Sequence, residues 1–196
     1  MIILLSNDDG YLADGINILA AHLKKIAEII IFAPKENHSG SSSALTLRSE
    51  LQIKKIDDNI FCVNGTPADT VYLGLSGFLD IEPDMVISGV NHGANLGEDV
   101  LYSGTVAAAI EGRSLGIPSI AISSINKNNN NYKVAAQVAV ELVEKLKSHP
   151  FPSDTILNVN VPDRSMSDLN GVVATRLGTR KKSYPIPVSN NESHTY

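Results

Sequence analysis

Short apolar runs alternate with segments of helical period from Ile2 to Val159, and few folds accommodate that alternation. The predicted strands cover residues 1–6, 28–33, 85–88, 118–123 and 155–159, the second stopped by Pro34. Between them, Ile16, Leu19, Ala20 and Leu23 recur at helical spacing, predicting a helix near 15–26 with Asp14 as its N-cap. A second helix should start at Thr66-Pro67 and run to about Leu79, with proline at the first helical position. A third covers 103–115, and a fourth covers 131–147. In the fourth, Val134, Val138 and Leu142 join Ala135, Ala139 and Leu146 in one apolar stripe. Strand–helix repetition of this kind implies an α/β fold, a three-layer, doubly wound and mostly parallel sheet of Rossmann-like type. Alternating runs at 45–48, 51–56 and 60–63 predict a short antiparallel excursion from it. The expected organisation is one domain over 1–179, with 128–131 a polar connector. Residues 180–196 then form a C-terminal extension, either disordered or folded only against other chain segments.

With 196 residues, 43% of them apolar, the chain can bury one sizeable core. Its 16 basic and 21 acidic residues give a formal net charge of −5, which argues against a protein that coats nucleic acid. No apolar run approaches the ~18 residues of a membrane-spanning helix. No basic stretch precedes the first strand, so a secretory signal is not expected. The single cysteine, Cys62, sits in the apolar run Ile60–Val63 and reads as a packing residue, consistent with a reducing cytoplasm.

The first strand ends in Asn7-Asp8-Asp9-Gly10. Burying one uncompensated carboxylate costs several kcal/mol, roughly, so an adjacent pair calls for a counter-charge. The same four residues also suit a turn, and by themselves leave both readings open. No G-x-G-x-x-G follows the strand and there is no P-loop, so a phosphate here would need a cation to bridge it to the acids. Three further loops leave carboxyl strand ends, the edge where such sheets bind ligands. One carries His38, Ser39 and Gly40. A glycine-rich one carries Asn91, His92 and Asn95. The third, Tyr102-Ser103-Gly104-Thr105, opens an apolar helix whose free N–H groups and dipole suit an anion, or simply a cap. Together they would make an oxygen-ligand site for Mg²⁺ or Mn²⁺ beside an anion pocket, the equipment of a metal-dependent phosphoester hydrolase.

The segments Leu4–Gly10, Ala33-Pro34 with Ser39-Gly40, Gly65-Thr66-Pro67, Ser88-Gly89-Val90-Asn91 and Tyr102–Val106 resemble the SurE survival-protein family, in order and from residue 1 to about Thr179. The resemblance implies a cytoplasmic, metal-dependent 5′-nucleotidase, often with 3′-nucleotidase and sometimes exopolyphosphatase activity. It implies one divalent cation per subunit, Mg²⁺ or Mn²⁺, held by Asp8, Asp9, Ser39 and Asn91. Asn95, Ser103, Gly104 and Thr105 would then surround the phosphate, and Asp8 and Asp9 would be the catalytic residues. The family also implies a homodimer or homotetramer, built with a projecting hairpin and a C-terminal helix; residues 180–196 would then be a truncated hairpin or oligomerisation arm, Tyr196 standing near where the hairpin would return. Two rival readings follow: a nucleotide- and metal-binding module without turnover, and an inactive fragment of the enzyme. A covalent aspartyl-phosphate is disfavoured, because phosphatases that use one carry D-x-D and here the acids are adjacent.

Overall fold

The structure, a computed structural model, describes residues 1–125, 132–152 and 154–179. The predicted connector at 128–131 and the extension at 180–196 lie outside the described residues. Seven strands form one sheet: β1 (Ile2–Ser6), β2 (Glu28–Pro34), β3 (Ile53–Asp57), β4 (Ile60–Val63), β5 (Met85–His92), β6 (Ser119–Ile125) and β7 (Ile156–Pro162). Their order is β3-β4-β2-β1-β5-β6-β7, and every pair is parallel except β3 with β4.

Four helices complete the layers: α1 (Asp14–Leu23), α2 (Pro67–Leu73), α3 (Gly104–Ser114) and α4 (Tyr132–Ser148). Helices α1 and α4 pack together over one face, on Ile3, Leu5, Ile31 and Ile87. Helices α2 and α3 pack together over the other, on Leu4, Phe32 and Val86. Because both faces are covered, the central strands read as unbroken apolar runs rather than as alternation. The chain winds one way from β1 through β2 to β4 and the other way from β5 to β7. The carboxyl ends of β1 and β5 therefore part at the point where the winding reverses, which is where open α/β sheets bind ligands.

Some expected boundaries move, each for a local reason. Ala13, not Asp14, is the N-cap of α1 and makes no side-chain cap; Asp14 is the first helical residue, where its charge still faces the positive helix end. Helix α2 stops at Leu73 rather than Leu79, and a wide turn over Gly74–Phe78 follows, with Gly77 at φ +89°. The run 45–48 is not a strand. Its backbone is spent on α2 instead: Thr46 N–H donates to Asp69 Oδ1 at 3.1 Å and Ala44 C=O accepts from Thr66 Oγ1 at 2.7 Å. Strand β5 continues past Ser88 to His92, with a register shift against β6 between Ser88 and Asn91.

Candidate active site

The turn after β1 is fastened by Asn7, whose Nδ2 donates to Gly10 C=O at 2.8 Å and whose Oδ1 accepts Gly10 N–H at 3.2 Å. Gly10 sits at φ +98°, a left-handed conformation that suits glycine. The turn leaves Asp8 and Asp9 to be presented at the edge of the sheet. Asp8 is buried at 4% exposure, and its backbone carbonyl accepts His38 N–H at 2.7 Å, which draws the loop after β2 across the strand end. Ser39 is seated by its own N–H, bonded to Asn37 Oδ1 at 2.7 Å.

Helix α3 begins directly against Asp8. Thr105 Oγ1 donates to Asp8 Oδ1, and a Cβ on Gly104 would stand 2.7 Å from Asp8 Cβ. Ser103 is the N-cap, its hydroxyl accepting Val106 N–H at 3.1 Å, so its O–H remains available as a donor. From β5, Asn91 uses Nδ2 on Gly93 C=O at 2.9 Å, which leaves its amide oxygen for a ligand. Asn95 donates from Nδ2 to Ser123 Oγ at 2.8 Å.

An open cleft of about 320 Å³ lies over these groups, with Asp8, Ser39, Asn91, Asn95 and Ser103 on its wall. Asp9 stands beside it, its carboxylate against the Ser39 hydroxyl and the His92 backbone N–H. Gly104 and Thr105 lie behind Asp8, where the threonine holds the carboxylate rather than facing the cleft. All eight residues expected from sequence thus gather at one strand edge. His92 and Tyr102 also line the cleft.

The electrostatics ask for a cation. Burial pushes the Asp8 carboxyl above the usual range, opposed by the Thr105 hydroxyl bond. Burial and then the Asp8 charge push Asp9 up as well, opposed by His92 and Ser39. Among the described residues, no lysine or arginine pairs with either acid. Nor do three or more His, Cys, Asp or Glu among them form a group that could hold a metal ion by themselves. The donors that converge are two carboxylates, a hydroxyl and an amide oxygen, an all-oxygen set that fits a hard divalent ion such as Mg²⁺ or Mn²⁺.

Sequence reasoning missed Asn158 and Asn160 on β7, both of which donate to Asn95 C=O, at 2.8 and 3.0 Å. The available signal was two asparagines at alternate positions of an otherwise apolar strand. It also missed Tyr132 at the start of α4, a buried phenol raised by burial and then by the charges of Asp9 and Asp14.

The family described as Survival protein SurE matches residues 3–184. A protein named 5′-nucleotidase SurE from Methylococcus capsulatus is 55% identical over 183 residues, 93% of this chain and 73% of that one. One of the same name from Xanthomonas axonopodis pv. citri is 49% identical over 199 residues, covering 100% of this chain and 77% of its own. Among solved structures, the SurE protein of Aquifex aeolicus superposes with a TM-score of 0.88 at 45% identity, over 92% of this chain and 73% of the other.

Proposed function

The chain belongs to the SurE family, and on that premise we propose that its cleft hydrolyses nucleoside 5′-monophosphates to nucleoside and phosphate. In this reading Asp8, Asp9, Ser39 and Asn91 hold one divalent cation, Mg²⁺ or Mn²⁺. Bound there, the ion would polarise the phosphoryl group and acidify water.

The chain's own groups supply the rest. The N-terminus of α3 offers its positive dipole end and the Ser103 O–H to the phosphate oxygens, while its Thr105 and Val106 N–H groups serve Asp8 and the Ser103 cap. These donors are fixed before substrate arrives, and preorganised donors are what phosphoryl transfer needs most. Asn95 has one Nδ2 hydrogen on Ser123 and a second for a phosphate oxygen. Thr105 locks Asp8 in one orientation, and Gly104 lets the helix start approach it. Water attacks phosphorus, the bond from phosphorus to the nucleoside oxygen breaks, and that oxygen takes up a proton as nucleoside leaves.

The observation that carries this reading is the contact of α3 with Asp8, which joins a cation seat to an anion seat in one cleft. The reading extends to a homodimer or homotetramer in the cytoplasm, supported by the exposed apolar side chains of Val172, Val173 and Leu177 and by the lone buried Cys62. Among the described residues, no helix is long and apolar enough to cross a membrane.

Phosphate release from a panel of 5′- and 3′-monophosphates and polyphosphate, with Mg²⁺, Mn²⁺ or EDTA, tests the proposal. Hydrolysis of 5′-monophosphates that needs the ion and is lost in Asp9→Asn supports it. Tight nucleotide binding with no release under any ion would instead establish a binding module.

A further inference from the structure

A polar row crosses the carboxyl end of the sheet. Asn91 of β5 pairs with Ser123 of β6, and Ser123 pairs with Asn160 of β7. Side chains alternate along a strand, and on β7 Leu157, Val159 and Val161 join the core under α1 and α4. Ile156 lies on the opposite face, against Val106 and Ala109 of α3. Asn158 and Asn160 share that face with Ile156, where a covered sheet would ordinarily place aliphatic residues.

Both asparagines are spent on one residue. Asn160 receives Asn95 N–H on Oδ1 at 2.8 Å and returns Nδ2 to Asn95 C=O at 3.0 Å. Asn158 adds its own Nδ2 to the same carbonyl at 2.8 Å. Serving that carbonyl leaves Asn158 Oδ1 buried without a partner. Native interiors avoid such orphans, so this one marks a constraint other than packing. Ser123 completes the arrangement by taking one Nδ2 hydrogen of Asn95. Both polar groups of the Asn95 peptide and its side-chain amide are thereby held from strands, although residue 95 belongs to a glycine-rich loop.

We propose that Asn160, assisted by Asn158 and Ser123, is a positioning clamp that presents the remaining Asn95 amide N–H to the substrate phosphate. The inference rests on the phosphate-binding role of Asn95 proposed above. Clamping from rigid strands removes the freedom a loop residue would otherwise lose on binding substrate. The clamp therefore acts on phosphate affinity and leaves the cation seat alone.

The test uses the whole chain with AMP as substrate, inorganic phosphate as competitive inhibitor and Mn²⁺ as activator. Asn160→Leu should raise both KM and the phosphate inhibition constant roughly tenfold, with the Mn²⁺ activation midpoint unchanged. A variant that only loses melting temperature, with KM and phosphate inhibition as in the wild type, overturns the clamp. So does a Mn²⁺ midpoint that moves in step with KM. If Asn160→Leu does not fold, Ser123→Ala removes only the acceptor for the Asn95 side chain. It should weaken phosphate inhibition in the same direction, and no change there overturns the proposal. Asn95→Ala separates the two layers. Unaltered phosphate inhibition in that variant refutes the role of Asn95 and the clamp with it, whereas weakened inhibition there beside unaffected clamp variants refutes the clamp alone.

Discussion

Asp8 and Asp9 are adjacent, yet they meet different partners: Asp8 is buried against Thr105 of α3, and Asp9 lies beside Ser39 and His92. Both are held in the folded chain against burial, and Asp9 also against the charge of Asp8. Asp9→Asn removes one like charge, so the metal-free variant should melt above the wild type. The same change should lower AMP hydrolysis by about 100-fold or more. A thermal scan in EDTA beside a phosphate-release assay checks both. Gly104 gives a second residue-scale prediction. Its added Cβ would meet Asp8 Cβ at 2.7 Å, and Asp8 Oδ2 and Pro67 Cγ at 3.1 Å, and the Thr105 bond restrains the Asp8 carboxylate from yielding. Gly104→Ala should therefore displace Asp8 and reduce kcat/KM by roughly 100-fold, as ångström-scale misplacement does. Wild-type kinetics in this variant would show that α3 does not set the position of Asp8. The residue pattern announced both acids, but not Thr105 as the group that orients one of them, because that contact joins positions far apart in sequence.

Helix α2 shows how one element's end can decide another segment's conformation. Thr66 and Asp69 form a reciprocal capping box, with Asp69 N–H on Thr66 Oγ1 at 3.2 Å and Thr66 N–H on Asp69 Oδ2 at 2.9 Å. The same two side chains also hold Ala44 and Thr46. The alternation at 45–48 reads locally as a strand, yet Leu45 and Leu47 are exposed and, among the described residues, no strand pairs with them. Thr66→Ala should cost about 1 kcal/mol, the usual worth of an N-cap. Amide hydrogen exchange should quicken at Thr46 as well as in the first turn of α2. Protection lost in α2 alone would mean that the loop is anchored elsewhere. The helices themselves were legible from their apolar period, and the starts of α2 and α3 from Thr66-Pro67 and Ser103, whereas the cap of α1 and the stop of α2 were not. The path after Leu73 stays helical through Gly74, which packs against Leu4 of the same face, and departs only at Ser76 and Gly77, the latter at φ +89°.

Across the whole molecule, the two raised carboxyls tie stability to pH and, in the proposed site, to a cation. A carboxyl whose folded pKa lies above its unfolded value binds its proton more tightly in the native state. Its favourable contribution is complete below the unfolded pKa and is lost as pH rises through the folded one. In the metal-free protein, Asp8 and Asp9 therefore weaken the fold as pH climbs from about 4 towards neutrality. A cation needs both acids ionised, so its stabilisation, RT ln(1 + [L]/Kd), should grow over the same window. Melting curves with Mn²⁺ and with EDTA at several pH values should diverge towards neutral pH. Curves that stay parallel would place the ion elsewhere. The sequence by itself determined the layered parallel architecture, because strands buried on both faces must be apolar throughout and helices packed on one side must show a stripe. It also determined the candidate ligands, since adjacent acids, a small hydroxyl-rich helix start and neutral amides are chemically recognisable wherever they stand. Only the tertiary structure decided how they work together. The reversal of winding between β1 and β5 opens the cleft, α3 reaches Asp8 through a glycine, and β7 grips Asn95 from the far side of β6. Those contacts depend on strand order and register, which are set by the packing of distant segments, so even the alternate asparagines of β7 do not name their partner locally.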